Sequence, residues 1–204
     1  RPGRESDYSD LSPDGVAAQA DAARAMLTRV QGVRPDDQTD VVTQAEMVRT
    51  LSLELEQIEA GFWQRDLNVI ASPAQGLRDV FDLMDTSSDE GWEHVAKRLH
   101  HLPAAMSGYL DSLRIGIAAG NVPAIRQVRE VDAQARKQAG TDSFFAQLAA
   151  RADVPAPLQA DLDDGARASS EAYGRLVRFL EHDLAPHAPE ADAVGREHYA
   201  LASR

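Results

Sequence analysis

The sequence predicts an all-α fold, roughly eight to nine helices in an irregular helical array with no sheet. Three observations predict it. Apolar residues recur at spacings of three and four along most of the chain, which is the period of one helix face. The segments so patterned open on a cap residue or a proline and close on glycine or proline. No window alternates apolar with polar residues as a half-buried strand does.

The elements follow in order. A polar, turn-rich opening leads to Ser12-Pro13-Asp14, an N-cap, a proline at the first helical position and an acid near the positive end of the helix dipole. Val16, Ala20, Ala23, Leu27 and Val30 give that helix one apolar face, and Gly32 and Pro35 stop it. A second helix starts within residues 37–39 and runs to Gly61 on a stripe of Val41, Ala45, Val48, Leu51, Leu55 and Ile58. Glu46, Glu54, Glu56 and Glu59 lie off the stripe and read as a solvated acidic face. Residues 65–71 are expected to be extended or irregular. Ser72-Pro73 repeats the cap-and-proline start and opens a helix to Met84, with Leu77, Val80, Phe81 and Met84 apolar.

A helix over residues 89–101 turns Trp92, Val95, Ala96 and Leu99 inward, and Pro103 is expected to kink or restart the chain. The next helix carries Met106, Tyr109, Leu110, Leu113 and Ile117 and stops at Gly120-Asn121. Pro123 opens a helix that Gly140 closes. Thr141 or Asp142 caps a short helix through Phe144, Phe145, Leu148 and Ala149. Pro155 and Pro157 start the longest helix, which reaches Leu184 and ends at Pro186 and Pro189. The tail reads as a turn and the beginning of one more helix, cut off. Residues 1–204 form a single helical region, with a weak sub-boundary over residues 62–72.

Composition narrows the function. Aromatic residues are only 5% of the chain while alanine is frequent, a diet that suits closely packed helices. With no cysteine there is no disulfide, thiolate nucleophile or thiolate metal site. A formal charge of -12 repels phosphate backbones and anionic lipid, so neither nucleic acid nor membrane is an expected partner. No apolar run approaches the roughly 20 residues that span a bilayer, and no basic-then-apolar leader opens the chain. A cytoplasmic protein is expected, and the opening Arg1-Pro2-Gly3 reads as the start of a piece rather than a natural terminus.

Few residues point to chemistry. The six histidines, His94, His100, His101, His182, His187 and His198, include no His-Glu-x-x-His pair of the kind that holds zinc from one helix face. His94 and His101, seven apart, share a face of a charged helix, and His182 sits near a helix C-terminus where the dipole favours a cation. No Gly-x-Ser-x-Gly elbow and no glycine-rich phosphate loop occurs, and carboxylate pairs such as Asp163-Asp164 carry no information in so acidic a chain. Arg65, Asp66 and Asn68 remain. They either fix the loop by hydrogen bonds and an ion pair or line a substrate cleft, since binding residues concentrate on loops held by rigid elements. Arg78 and Asp79, farther into the following helix, extend either network.

The same segment carries a resemblance. Tyr8-Ser9-Asp10-Leu11-Ser12-Pro13, the run Arg65-Asp66-Leu67-Asn68-Val69-Ile70-Ala71-Ser72-Pro73 and Asp79-Val80-Phe81-Asp82-Leu83-Met84 are similar to the bacterial domain-of-unknown-function family 885. Leu102-Pro103-Ala104-Ala105, Ser112-Leu113-Arg114, Gly116-Ile117-Ala118, Arg126-Gln127-Val128 and Val194-Gly195-Arg196-Glu197 continue the match in order. Members of that family resemble zinc-dependent peptidases several hundred residues long, with a His-rich metal motif in the C-terminal half. The resemblance implies that this chain is the helical N-terminal portion, shaping one wall of a substrate cleft. No cofactor is expected in this segment, and zinc is expected in the C-terminal half. The expected partners are the remainder of its own chain and a peptide substrate, with self-association through apolar surface the remainder would cover. The alternative is a stand-alone helical protein-interaction domain.

Overall fold

A computed structural model describes residues 6–204; residues 1–5, the front of the turn-rich opening, lie outside the described residues. Eight α-helices and four shorter helical turns, with no strand, make up the described residues.

Helix α1 (Pro13–Gln31) starts where the cap pattern puts it. Ser12 is extended, and its hydroxyl accepts a hydrogen bond from the Gly15 amide at 3.1 Å. Helix α2 (Gln38–Glu59) is capped by Asp37, whose carboxylate accepts from the Asp40 amide at 2.9 Å. The two helices form an antiparallel hairpin. The Gln19 amide group donates to Glu54 (2.7 Å) near its base, and Gln44 donates to the carbonyls of Val30 (2.7 Å) and Val33 (2.8 Å) near its tip. The apolar stripe of α2 is less covered than its periodicity predicts: no residue of α2 is buried, and Val41 and Ala45 are exposed. The buried residues of α1 are Ala20, Ala23 and Val30. A two-helix layer of small side chains covers its members on one side only, and Met26, Val33, Val42 and Met47 stay open near the tip.

Helix α4 (Asp89–Ala119) is the axis of the body and, at 31 residues, its longest helix. It continues unbroken through Pro103, where the sequence predicts a kink or restart. A proline inside a helix frees the carbonyl four residues back. Here that carbonyl, Leu99 O, accepts from the buried Ser169 hydroxyl of helix α7 (Ala156–Phe179) at 2.9 Å. α4 and α7 share the core, with Leu99, Leu102, Met106, Leu113, Leu162, Leu176 and Tyr173 almost wholly buried. Each such leucine contributes roughly 1.5–3 kcal/mol relative to exposure.

The remaining elements close round this pair. Helix α3 (Pro73–Asp79) tightens into a 3-10 turn (Val80–Leu83) rather than continuing to Met84. Helix α5 (Ile125–Ala139) begins two residues after Pro123, with Ala124 extended and no side-chain cap. Helix α6 (Phe144–Ala149) is capped by Ser143, not by Thr141 or Asp142; the Ser143 hydroxyl accepts from the Ala146 amide at 3.2 Å. α7 unwinds into a π turn (Leu180–Leu184) and a 3-10 turn (Ala185–His187), and the tail folds into helix α8 (Arg196–Ala202). No helix among the described residues is long and apolar enough to cross a membrane.

Candidate functional site

The polypeptide leaves α2 through Gly61, at φ 73° the left-handed conformation that glycine adopts without cost. A Cβ there would lie 2.7 Å from Gln64 Oε1 and 2.8 Å from Asn121 Nδ2. A 3-10 turn (Phe62–Arg65) follows and lies against α4 at Gly116, where a Cβ would fall 2.2 Å from the Gln64 carbonyl oxygen. Asp66 then makes an inverse γ-turn, φ -71° and ψ 74°, closed by the Leu67 amide on the Arg65 carbonyl at 2.7 Å. The fully buried Tyr109 of α4 donates its hydroxyl to the Asp66 carbonyl at 2.7 Å, and Leu67 points into the core.

Asn68 organises the rest of the loop. Its side-chain oxygen accepts from the amides of Ile70 (2.9 Å) and Ala71 (2.8 Å), and its amide group donates to the Ala71 carbonyl at 2.8 Å. That is the local side-chain turn asparagine favours. Ser72 caps α3, and Gln75 reaches back to accept from the Ser72 amide at 2.9 Å. Two glutamines of α5 hold the middle: Gln127 accepts from the Val69 amide (3.1 Å), and Gln134 donates to the Val69 carbonyl (3.1 Å). Gln75 ties the second of these to α3, donating to Gln134 at 2.6 Å.

The loop so clamped forms one side of an open cleft of about 590 Å3. Arg65, Asp66 and Asn68 all line it. The start of α5, with Arg126 and Gln127, and the tail, with Asp192, Val194 and His198, line it as well. The tail is held there by Arg126 Nε on Asp192 at 2.7 Å and by the Ile125 amide on the Pro189 carbonyl at 2.9 Å. His198 stacks on Phe62 with ring centres 4.0 Å apart and planes 12° from parallel.

Two charged groups in the cleft, Arg65 and Asp66, make no ion pair among the described residues. Arg65 is half-buried, and its one hydrogen bond among the described residues is a long one, 3.5 Å to Asn121 Oδ1. Desolvation pulls its pKa below the ordinary value. The ion pair expected between Arg65 and Asp66 does not form: a γ-turn at Asp66 separates their side chains, and no hydrogen bond or ion pair among the described residues ends on the Asp66 carboxylate. Asp66 is exposed on the cleft side, yet the protein around its carboxyl pushes the pKa up by desolvation. Desolvation, and secondarily the charge of Arg65, holds His198 below its ordinary value.

Arg78 lies elsewhere. It pairs with Asp79 and Asp82, stacks over the Phe144 ring at 3.9 Å, and borders a separate cavity of about 290 Å3 with Gln75, Gln138 and Tyr173. The structure therefore brings three of the four residues singled out in the sequence to one cleft and places the fourth in another. The histidines are also spoken for in part. Ser6 joins His94 (3.1 Å) and His101 (3.0 Å), and His100 meets Asp161 at 2.8 Å. Among the described residues no three His, Asp or Glu side chains gather closely enough to hold a metal ion.

Gln127, Gln134, Tyr109, Arg126 and His198 build the site without having been singled out. For the glutamines a signal existed: they are seven apart, two turns along one flank of the Ile125, Val128, Val131, Ala135 stripe. The profile of a family described as "Bacterial protein of unknown function (DUF885)" matches residues 2–204. No curated protein matches the chain.

Proposed function

The chain belongs to the bacterial family DUF885, and on that premise we propose that it is the helical N-terminal portion of a cytoplasmic, metallopeptidase-like hydrolase. It shapes one wall of the substrate cleft and is not catalytic by itself. The observation that carries this reading is the cleft walled by Arg65, Asp66 and Asn68, on a loop clamped from both sides and left with unpaired charge facing the opening. A loop built so rigidly holds binding groups in place, as substrate positioning requires.

In this proposal the metal belongs to the remainder of the longer chain, and among the described residues no three His, Asp or Glu side chains gather to hold one. When bound there, zinc supplies polarisation of the scissile carbonyl and an activated water. The residues of this chain contribute shape, exclusion of water and hydrogen bonds to the peptide backbone. The remainder of the chain is the proposed partner of the open hairpin tip at Met26, Val42 and Met47.

The test compares the 204-residue chain with a chain translated onward from the same gene. The longer protein is expected to hydrolyse peptides and to lose that activity on chelation, whereas the 204 residues alone show no hydrolysis and no stoichiometric zinc. A stop codon directly after Arg204, or chelator-sensitive zinc in the 204-residue chain, contradicts the proposal, and the stop codon favours a stand-alone interaction domain.

A further inference from the structure

Helix α8 is attached to the body by its edges and not by a core. None of residues 189–204 is buried, and only His198 and Leu201 among them are half-buried. Among the described residues, α8 and the two residues after it make three polar or ring contacts with the rest of the chain. The His198 ring lies flat on Phe62, the Arg204 guanidinium meets the Glu56 carboxylate, and Arg49 Nη1 donates to the Arg204 carbonyl at 3.2 Å. Both members of the ion pair are about half exposed, so dissolved salt screens their attraction. The stem before α8 is tied differently, by the Ile125 amide on the Pro189 carbonyl at 2.9 Å and by Arg126 on Asp192. Between stem and helix stands Gly195, at φ 87° and ψ 160°, a conformation closed to nearly every other residue. A Cβ there would meet nothing within 4 Å, so the glycine answers to the backbone and not to a lack of space.

We propose that α8 is a flap over the Phe62 side of the cleft, pivoting at Gly195 on the stem 189–194 and held shut by the His198–Phe62 stack and the Arg204–Glu56 ion pair. Shut, it covers one face of Phe62 and sets His198 in the cleft lining, close enough to Arg65 to feel its charge. Open, it leaves the clamped loop and the start of α5 in place and uncovers Phe62 and Arg65. One ring stack and one exposed ion pair favour the shut state only modestly. The loop across the cleft has no such freedom, being tied down by Tyr109, Gln127 and Gln134. The flap is defined without a substrate, so it goes beyond the reading of the cleft as a peptide wall and does not rest on it.

The experiment measures distances between spin labels by pulsed dipolar spectroscopy on the 204-residue chain, which has no cysteine to misdirect a label. Arg129→Cys on α5 is paired either with Tyr199→Cys on α8 or with Ala193→Cys in the stem, all three positions being exposed. The solution is held near pH 8, where His198 is neutral. The Tyr199 pair is expected to show two populations. The longer should grow roughly twofold to fivefold as salt rises from about 0.02 to about 0.5 M. Glu56→Gln should enlarge it at low salt and remove most of the salt dependence, and His198→Ala should enlarge it at every salt concentration. Gly195→Ala, which strains the shut backbone without a clash, should enlarge it too, whereas a helix that merely frays would not respond. The Ala193 pair should keep one distance throughout. A single Tyr199 distance that neither salt nor E56Q nor H198A alters overturns the flap. An Ala193 label that moves with Tyr199, or a G195A chain that behaves as the parent does, overturns the pivot.

Discussion

Asn68 shows how a polar residue in a loop is read two ways and serves one of them mostly. All three hydrogen bonds of its side chain are local, to Ile70 and Ala71, so its role is to shape the loop that Arg65 and Asp66 present. The sequence suggested both a structural and a cleft role for these three residues, and it could not divide them, because the division depends on partners from α4 and α5. Tyr109, Gln127 and Gln134 arrive from 40 or more positions away. The acidic residues of α2 are a similar case. They lie on a solvated face as read, and three of them also reach other elements: Glu54 to Gln19, Glu56 to Arg204 and Glu59 to Arg24. His198 gives a prediction at this scale. Its pKa is depressed in the folded chain, so below its ordinary value of about 6.5 the undocked state takes up a proton that the docked state refuses. Docking of the tail onto Phe62 is therefore fully present above that value and weakens as pH falls through it. An NMR titration should show His198 titrating below about 6.5, with amide exchange in α8 rising over the same interval. A midpoint above that value contradicts the account.

At the scale of elements, caps and prolines located nearly every helix start, because they act through the first turn alone. Ser12 and Ser72 both sit at the ends that the pattern names. Pro103 misled because its effect depends on a distant residue. The carbonyl it frees is taken by Ser169, 70 residues away, and α4 passes through unbroken. Ser169→Ala should therefore leave Leu99 O buried and unpaired, at a cost of roughly 1–3 kcal/mol. Chemical denaturation of the purified chain measures it. A loss below about 0.5 kcal/mol, the size typical of surface changes, would show that Ser169 is not what makes the proline tolerable. The apolar stripe of α2 misled for the opposite reason. Periodicity says which residues share a face, and says nothing of whether a neighbour exists to cover it.

At the scale of the molecule, the body and the hairpin differ in how finished they are. The α4–α7 body has a continuous core from Leu67 to Leu184, while α2 has no buried residue and the hairpin tip leaves Met26, Val33, Val41, Val42 and Met47 open. Exposed apolar groups that cluster, rather than scatter, mark surfaces that meet another. On the function proposed above, these 204 residues are one wall of a larger fold. Sedimentation and hydrophobic-dye binding of the isolated chain across a range of concentrations test it most directly. The account predicts concentration-dependent association and dye binding, both reduced by Val42→Ser with Met47→Ser. A monodisperse monomer that binds no dye at high concentration would contradict it.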